Sequence, residues 1–192
     1  MTSVDSARIE PAFAPYGDAA ESLAKTGFTS ENGSLLNIFT TLAHHPRLLR
    51  RFNALGGLYV THGLLPARLR ELVILRTAWR TSCEYEWGQH VIIGRNVGLS
   101  DEEIVRVTHS TDSTDLWSPA DSLVLNIADE LLDSVDVNEG TWGVAISMWS
   151  DAELLELVTL VGFYRMTAGL LNAVRVQRED ALPGWPDEDG RL

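Results

Sequence analysis

The sequence predicts an all-α protein, and three observations lead to that prediction. From Leu35 onward, apolar residues recur at the three- and four-residue spacing of helices almost to the end of the chain. Serine or threonine repeatedly stands three residues before glutamate, which is the capping-box signature of a helix start. Few segments alternate apolar and polar residues as strands do. We therefore expect one helical domain with a substantial core.

The first part of the chain divides at its prolines and glycines. Residues 1–33 are poorly periodic and are predicted to form an arm. A helix that carries Leu36 and Phe39 should end before Pro46, because the residue before a proline disfavours helical geometry. Pro46 itself suits the first turn of the next helix, since its missing N–H group has no helical partner there.

The central helices are predicted from their ends. Pro66 opens a helix that is apolar nearly all round and ends near Arg80. Thr81 and Glu84 have capping-box spacing, which predicts that the next helix starts at Thr81 and has Cys83 in its first turn.

Later boundaries follow the same signals, a glycine C-cap and then serine N-caps. They lie at Gly98, Ser100, Ser118 and Ser150. Residues 109–117 are a polar linker, residues 34–182 are the predicted helical domain, and residues 183–192 form an irregular tail.

Composition restricts the partners. The net charge is −12 and the sequence pI about 4.7, which disfavours nucleic acid and anionic membranes as partners. The single cysteine cannot form an internal disulfide, and no signal peptide or apolar run of about 20 residues is visible. The prediction is a soluble cytoplasmic protein whose partner is a small molecule.

One helix face gathers reactive side chains. Cys83, Glu86, Trp87 and His90 fall at i, i+3, i+4 and i+7, so they lie along a single stripe. Glu86 and His90 are close enough to form a hydrogen bond, and a carboxylate that orients an imidazole is typical of acid–base catalysis. Such a pair is also common on helix surfaces, but the apolar neighbours indicate that this helix is buried.

The preceding helix carries charges that burial makes costly unless they are paired or used. Glu71 is predicted either to form an ion pair across helices or to join a proton relay with His90. Arg76 has the same ion-pair alternative, or it binds a substrate carboxylate. Tyr85 and Trp87 are the other predicted substrate-binding residues.

Cys83 has two interpretations. At a helix start, the dipole and free N–H groups favour a reactive thiolate. The alternative is a buried thiol that only packs, and peroxidase cycling lacks a second, resolving cysteine in this chain. Metal binding is not expected, because the histidines have no partners at ligand spacing, and no cofactor is predicted.

The sequence also contains a weak internal echo. Residues 67–75 align with residues 152–160. If the alignment is extended in the same register, Ala168 corresponds to Cys83. A leucine-rich match of this length arises by chance about as readily as by duplication. The remaining aromatics, Tyr164 among them, are most simply core or interface residues. Because the predicted helices leave apolar faces to cover, we expect a homo-oligomer.

Glu71, the segment Cys83-Glu-Tyr-Glu86-Trp-x-x-His90 and the segment Gly98-Leu-Ser-x-x-Glu103-Ile together resemble the carboxymuconolactone decarboxylase superfamily, which includes AhpD-like alkylhydroperoxidases. The resemblance implies an all-α, AhpD-like helical bundle built from a repeated helical unit and assembled as a trimer or hexamer. Its peroxidase branch has Cys-x-x-Cys-x-x-x-His, and Glu86 replaces the second cysteine here. Its decarboxylase branch has Glu-x-x-x-His, which Glu86 and His90 match.

The resemblance therefore implies a cofactor-free lyase that acts on a small carboxylated lactone or a related oxo acid. Its expected catalytic residues are His90, Glu86, Glu71 and Cys83. The alternatives are a thiol peroxidase that uses Cys83 with an external resolving thiol, and a non-catalytic oligomeric binder of small molecules.

Overall fold

The computed structural model describes residues 6–26, 29–30, 32–109, 117–180 and 182–192, and these residues confirm the all-α prediction. Their α-helices are α1 Ala20–Ala24, α2 Asn37–Leu42, α3 Pro46–Thr61, α4 Ala67–Arg80, α5 Glu84–Asn96, α6 Asp101–Arg106, α7 Pro119–Ser134, α8 Glu139–Met148 and α9 Asp151–Val174. The linker predicted at residues 109–117 lies outside the described residues except at its two ends.

The chain divides into two compact units. One comprises residues 1–62 and 170–182, and the other comprises residues 63–169 and 183–192. The division into an arm, a helical domain and a tail that the sequence predicts stays a prediction.

In the first unit, backbone hydrogen bonds hold the N-terminal arm although the arm has little helical periodicity. The N–H of Arg8 donates to the carbonyl of Val174 at 2.8 Å, which satisfies one of the free carbonyls at the end of α9. The N–H of Ala12 donates to the carbonyl of Thr40 at 3.1 Å. The arm also contains the short helix α1, which the sequence did not predict.

In the second unit, α4 packs against both α5 and α7 and is therefore buried along most of its length. Apolar side chains from these helices and from α9 form the core; fully buried examples are Leu72, Leu75, Trp87, Val91, Ile127 and Leu157. The charges of α4 are paired within this unit. Arg68 contacts Glu103 at 2.5 Å and Asp121 at 3.1 Å, so burial does not leave its guanidinium unsatisfied.

Several predicted helix ends are confirmed, and each of them is set by residues close together in the sequence. Ser100 and Glu103 form a complete capping box at the start of α6. Gly98 adopts φ +92°, and the N–H of Leu99 donates to the carbonyl of Gly94 at 3.0 Å, as in a left-handed C-cap. The N-cap of α7 is Ser118, as expected.

The capping box predicted at Thr81 is wrong. The hydroxyl of Thr81 donates back to the carbonyl of Thr77 at 2.6 Å, so it closes α4 instead of opening α5. Ser82 then turns the chain with φ +51°, and α5 begins at Glu84 with Cys83 as its N-cap residue. Cys83 therefore lies just before the first helical turn, and its side chain makes no capping hydrogen bond.

Helix α9 is long and apolar enough to cross a membrane by length and composition. More than half of its most apolar stretch, 56%, is buried inside the protein. Burial of that kind is typical of a core helix, and α9 contributes Leu157 and Leu160 to the buried residues.

Candidate functional site

The turn between α4 and α5 folds α5 back along α4 and brings Glu71, Glu86 and His90 together. Oε2 of Glu71 lies 2.6 Å from Nδ1 of His90. On the other side of the ring, Oε2 of Glu86 lies 3.3 Å from Nε2. All three residues are buried, with exposed fractions of 0%, 5% and 6% for Glu71, Glu86 and His90. Of the four predicted catalytic residues, these three form one cluster.

Two carboxylates around one imidazole determine its protonation state. A neutral imidazole has a single N–H and can donate to only one of them, whereas imidazolium donates to both. Burial alone would lower the pKa of His90, but the charges and hydrogen bonds of Glu71 and Glu86 outweigh it and raise that pKa to about 9. His90 is therefore an acid at neutral pH.

Glu71 has a second cationic partner, Arg70, which the sequence interpretation missed. Nε of Arg70 donates to Oε1 of Glu71 at 2.8 Å. Burial alone would raise the pKa of Glu71, but the adjacent charges of His90 and Arg70 hold it below its usual value. The only sequence signal for this contact is the position of Arg70 on a helix that is apolar nearly all round, which indicates that the arginine is buried.

Tyr164 of α9 completes the surroundings of His90. The two rings meet edge to face, with centroids 5.1 Å apart. Tyr164 is itself mostly buried, at 7% exposed. The aromatic ring restricts rotation of the imidazole, so its two nitrogens keep facing the two carboxylates. The sequence predicted Tyr164 only as a core or interface aromatic.

The structure places Cys83 in the environment of the second interpretation, a buried thiol. The thiol is fully buried, and it lies at the N-cap position and not in the first helical turn. Burial raises the pKa of Cys83 to about 12. The backbone N–H groups of Glu86 and Tyr85 act in the opposite direction, but their effect on this pKa is smaller. The thiolate expected from the helix dipole is therefore scarce at neutral pH.

Arg76 lies in an ion pair inside the protein. Its guanidinium forms a two-point contact with Asp129 of α7, with both distances 2.7 Å. The remaining nitrogen donates to the carbonyls of Val107 and His109. With Arg76 only 5% exposed, these partners use the donors that a substrate carboxylate would need. The ion-pair alternative that the sequence left open describes its position.

Tyr85 and Trp87 are both buried, and their contact with substrate stays a prediction. Trp87 is fully buried, and its indole N–H donates to the carbonyl of Gly184 at 2.9 Å. Its ring packs against those of Trp79 and Trp185, with centroid distances of 6.1 and 5.3 Å. Tyr85 is 4% exposed. Trp87 thus attaches the C-terminal tail to α5.

Within the described part of the chain, no group of three or more histidine, cysteine, aspartate or glutamate residues is arranged to bind a metal. A cleft of about 360 Å³ lies among α7, α8 and α9, lined by Leu131, Val135, Asp136, Val137, Glu139, Trp142 and Val158. It contains none of the predicted site residues.

The carboxymuconolactone decarboxylase family model matches residues 46–130, which include all four predicted catalytic residues. No curated protein matches the chain.

Solved structures share the fold at low sequence identity. A peroxidase-related protein with an AhpD core from Ralstonia eutropha JMP134 is 22% identical, with a TM-score of 0.68 over 84% of this chain and 83% of that one. An uncharacterized peroxidase-related protein from Silicibacter sp. TM1040 is 16% identical, with a TM-score of 0.73 over 89% and 93%. The debrominase Bmp8, as a cysteine-to-alanine variant in complex with 2,3,4-tribromopyrrole, is 15% identical, with a TM-score of 0.71 over 90% and 92%. The predicted AhpD-like fold is confirmed.

Proposed function

We propose that the chain is an enzyme of the carboxymuconolactone decarboxylase/AhpD-like superfamily with His90 as its proton donor, which the family match over residues 46–130 and the shared fold support. The proposed substrate is a small carboxylated lactone or a related oxo acid. The proposed reaction is decarboxylation or an allied proton transfer, without a cofactor. The observation that carries the proposal is the buried imidazole of His90 between the carboxylates of Glu71 and Glu86.

The proposed reaction needs an acid at the step that follows the loss of CO2. When the bond to the carboxylate breaks and CO2 leaves, its electron pair passes into the adjacent carbonyl group and forms an enolate. His90 then donates its Nε2 proton to the enolate and becomes a neutral imidazole that keeps its Nδ1 proton toward Glu71. Glu86 returns a proton from water to Nε2. A pKa of about 9 keeps the donor protonated at neutral pH before each turnover.

We assign the reactive side of the ring to Nε2 from the two distances. The contact of Nδ1 with Glu71 is 2.6 Å and joins two helices, whereas that of Nε2 with Glu86 is 3.3 Å. Glu86 lies one turn before His90 on the same helix, so rotation of its side chain can open Nε2 without moving the backbone. A substrate oxygen can then occupy the position that the carboxylate of Glu86 held.

Thiol chemistry at Cys83 is the competing function. It is favoured by the neighbours named as a peroxidase-related protein and a debrominase. The fully buried thiol with a pKa raised to about 12 opposes it, because attack on a peroxide requires an accessible thiolate. The replacement of a second cysteine by Glu86 also removes the internal resolving group.

The test is an ultraviolet-monitored assay with a panel of lactone acids and β-keto acids. Wild type, His90→Gln, Cys83→Ala and the matched control His62→Gln are compared, since His62 is an exposed residue at the end of α3. We expect His90→Gln to lose about 100-fold or more in turnover, the usual contribution of general acid catalysis, while both other variants retain activity.

Three outcomes would contradict the proposal. Retained activity in His90→Gln would remove His90 from the mechanism. Activity that is lost in Cys83→Ala and depends on an added thiol would transfer the function to Cys83. Ligand binding without turnover across the panel would favour the non-catalytic binder.

We also propose that the protein is a homo-oligomer, trimeric or hexameric. Helix α8 supports this because it exposes apolar side chains, with Val144 51% and Ile146 56% exposed, and only Ala145 is buried. Light scattering at micromolar concentration measures the assembly directly. A monomer under those conditions would contradict it.

A further inference from the structure

Arg70 is a buried cation at the candidate site that the proposed proton transfer does not use. Its residue is 8% exposed, and its Nε donates to Oε1 of Glu71 at 2.8 Å. The other oxygen of the same carboxylate, Oε2, faces Nδ1 of His90 at 2.6 Å. The two oxygens of Glu71 are thus divided between two cations, one from its own helix and one from α5.

We propose that Arg70 is a positioning residue: its guanidinium fixes Oε1 of Glu71, so that Oε2 stays a charged and correctly oriented acceptor for the Nδ1 proton of His90. The inference rests on the proposed function only for its catalytic consequence, which is that His90 donates from Nε2. The effect of Arg70 on Glu71 and His90 is measurable without any substrate.

The contact is not a by-product of helical spacing. Successive side chains on a helix point about 100° apart, so residues i and i+1 do not normally face each other. Arg70 must fold its long side chain back over Glu71, which costs side-chain entropy and hydration of the guanidinium. A buried arginine in that arrangement is stable because it is paired with the carboxylate.

Charge balance explains what the pair achieves. Two carboxylates, Glu71 and Glu86, lie around the imidazolium of His90, and Arg70 supplies the second positive charge. Without it, one buried cation would face two buried carboxylates. The weakest position would be Glu71, which is fully buried and would depend on His90 alone.

Groups on the other neighbouring helices do not replace Arg70. On α7, which also packs on α4, the carboxylates of Asp121 and Asp129 contact Arg68 and Arg76. On α9, the residue that faces His90 is Tyr164, through its ring. Among the described residues, His90 and Arg70 are the charged groups that interact with the Glu71 carboxylate.

Loss of Arg70 therefore has a directional signature. The Glu71 carboxyl loses a cation, so it should take up a proton at higher pH than in wild type. His90 remains the sole cation facing the carboxylates, so its own pKa should not fall from about 9. A variant that merely loosens the site and admits water would instead move both pKa values toward their ordinary ones, and the pKa of His90 would fall.

The experiment is a pH titration of the imidazole nitrogens by nuclear magnetic resonance on wild type, Arg70→Met and Arg70→Lys, with the His90 signals assigned from His90→Gln. The matched control is Arg68→Met, which removes another ion-paired arginine of the same helix whose partners are Glu103 and Asp121. We expect the acid-side transition of the Nδ1 signal to rise by about one pH unit or more in Arg70→Met. Arg70→Lys should restore most of it, and Arg68→Met should match wild type.

Two results would overturn the proposal: an acid-side transition unchanged in Arg70→Met, or a His90 pKa that falls in that variant. If Arg70→Met does not fold, Arg70→Gln decides the question, because it keeps a donor for Oε1 without the charge and must still raise the transition. Failure of the proposed function is separate, since it would appear as absent turnover in wild type with these titrations intact.

Discussion

The internal echo of the sequence aligns Glu71 of α4 with Glu156 of α9, and both glutamates are buried, at 0% and 8% exposed. Glu71 contacts two side-chain cations, Arg70 and His90. The carboxylate of Glu156 instead accepts hydrogen bonds at 2.8–3.0 Å from the backbone N–H groups of residues 64 and 65. Both carboxylates are satisfied, but of the two only Glu71 is joined to a titratable imidazole.

The difference originates in the chain that follows each glutamate. After α4, Ser82 turns the backbone with φ +51°, and α5 returns alongside with His90 on its inner face. In the echo register Ala168 corresponds to Cys83, and α9 continues through it without a turn. Among the described residues, no helix follows α9. A buried glutamate thus becomes part of a candidate site only where the fold supplies a titratable partner.

The largest expected effect distinguishes these two glutamates. Glu71→Gln removes the anion that holds Nδ1 of His90, so we expect turnover to fall about 100-fold or more. Glu156→Gln loses charge-assisted bonds to the backbone, so we expect the free energy of unfolding to fall by about 2 kcal/mol with turnover retained. Turnover assays and urea unfolding of both variants measure the two effects. Equal losses of turnover would remove the distinction between the two positions.

The helix ends could be predicted because their signals are local. The serine and glutamate of the Ser100 capping box contact each other within one turn, and Gly98 sets its own backbone geometry. The placement of Glu86 and His90 on one face likewise depends only on helical spacing. The same reasoning failed at Thr81, because Ser82, a non-glycine residue with positive φ, starts the turn and leaves the Thr81 hydroxyl inside α4.

The partners of buried charges could not be predicted, because they come from other helices. Arg76 contacts Asp129, which is 53 residues away in the chain, and nothing in either local sequence indicates the other. Trp87 is covered by Trp185 from the tail, a contact across an even larger sequence separation. For Arg70 the spacing was misleading, since adjacent helical residues normally diverge.

The second prediction concerns pH and again separates the two regions. The pKa of His90 is raised from 6.5 to about 9, so its contribution to stability is complete below pH 6.5 and is lost as the pH rises through 9. The shift corresponds to roughly 3 kcal/mol. We expect urea unfolding of wild type to show a decline between pH 6.5 and 9 that is absent in His90→Gln. Glu156→Gln should keep the decline, and a decline in His90→Gln as steep as in wild type would assign it to another group.

The smallest expected effect is on thermal stability, and it compares the residues at the starts of α5 and α9. Ser150 and Glu153 form a true capping box at the start of α9, with the Ser150 hydroxyl and the Glu153 carboxylate 2.6 Å apart. Ser150→Ala should therefore lower the midpoint of thermal unfolding by about 2–4 °C. Thr81→Ala should lower it less, because the Thr81 hydroxyl only bonds back to the carbonyl of Thr77. A larger decrease for Thr81→Ala in thermal unfolding would make Thr81, and not the turn at Ser82, the residue that starts α5.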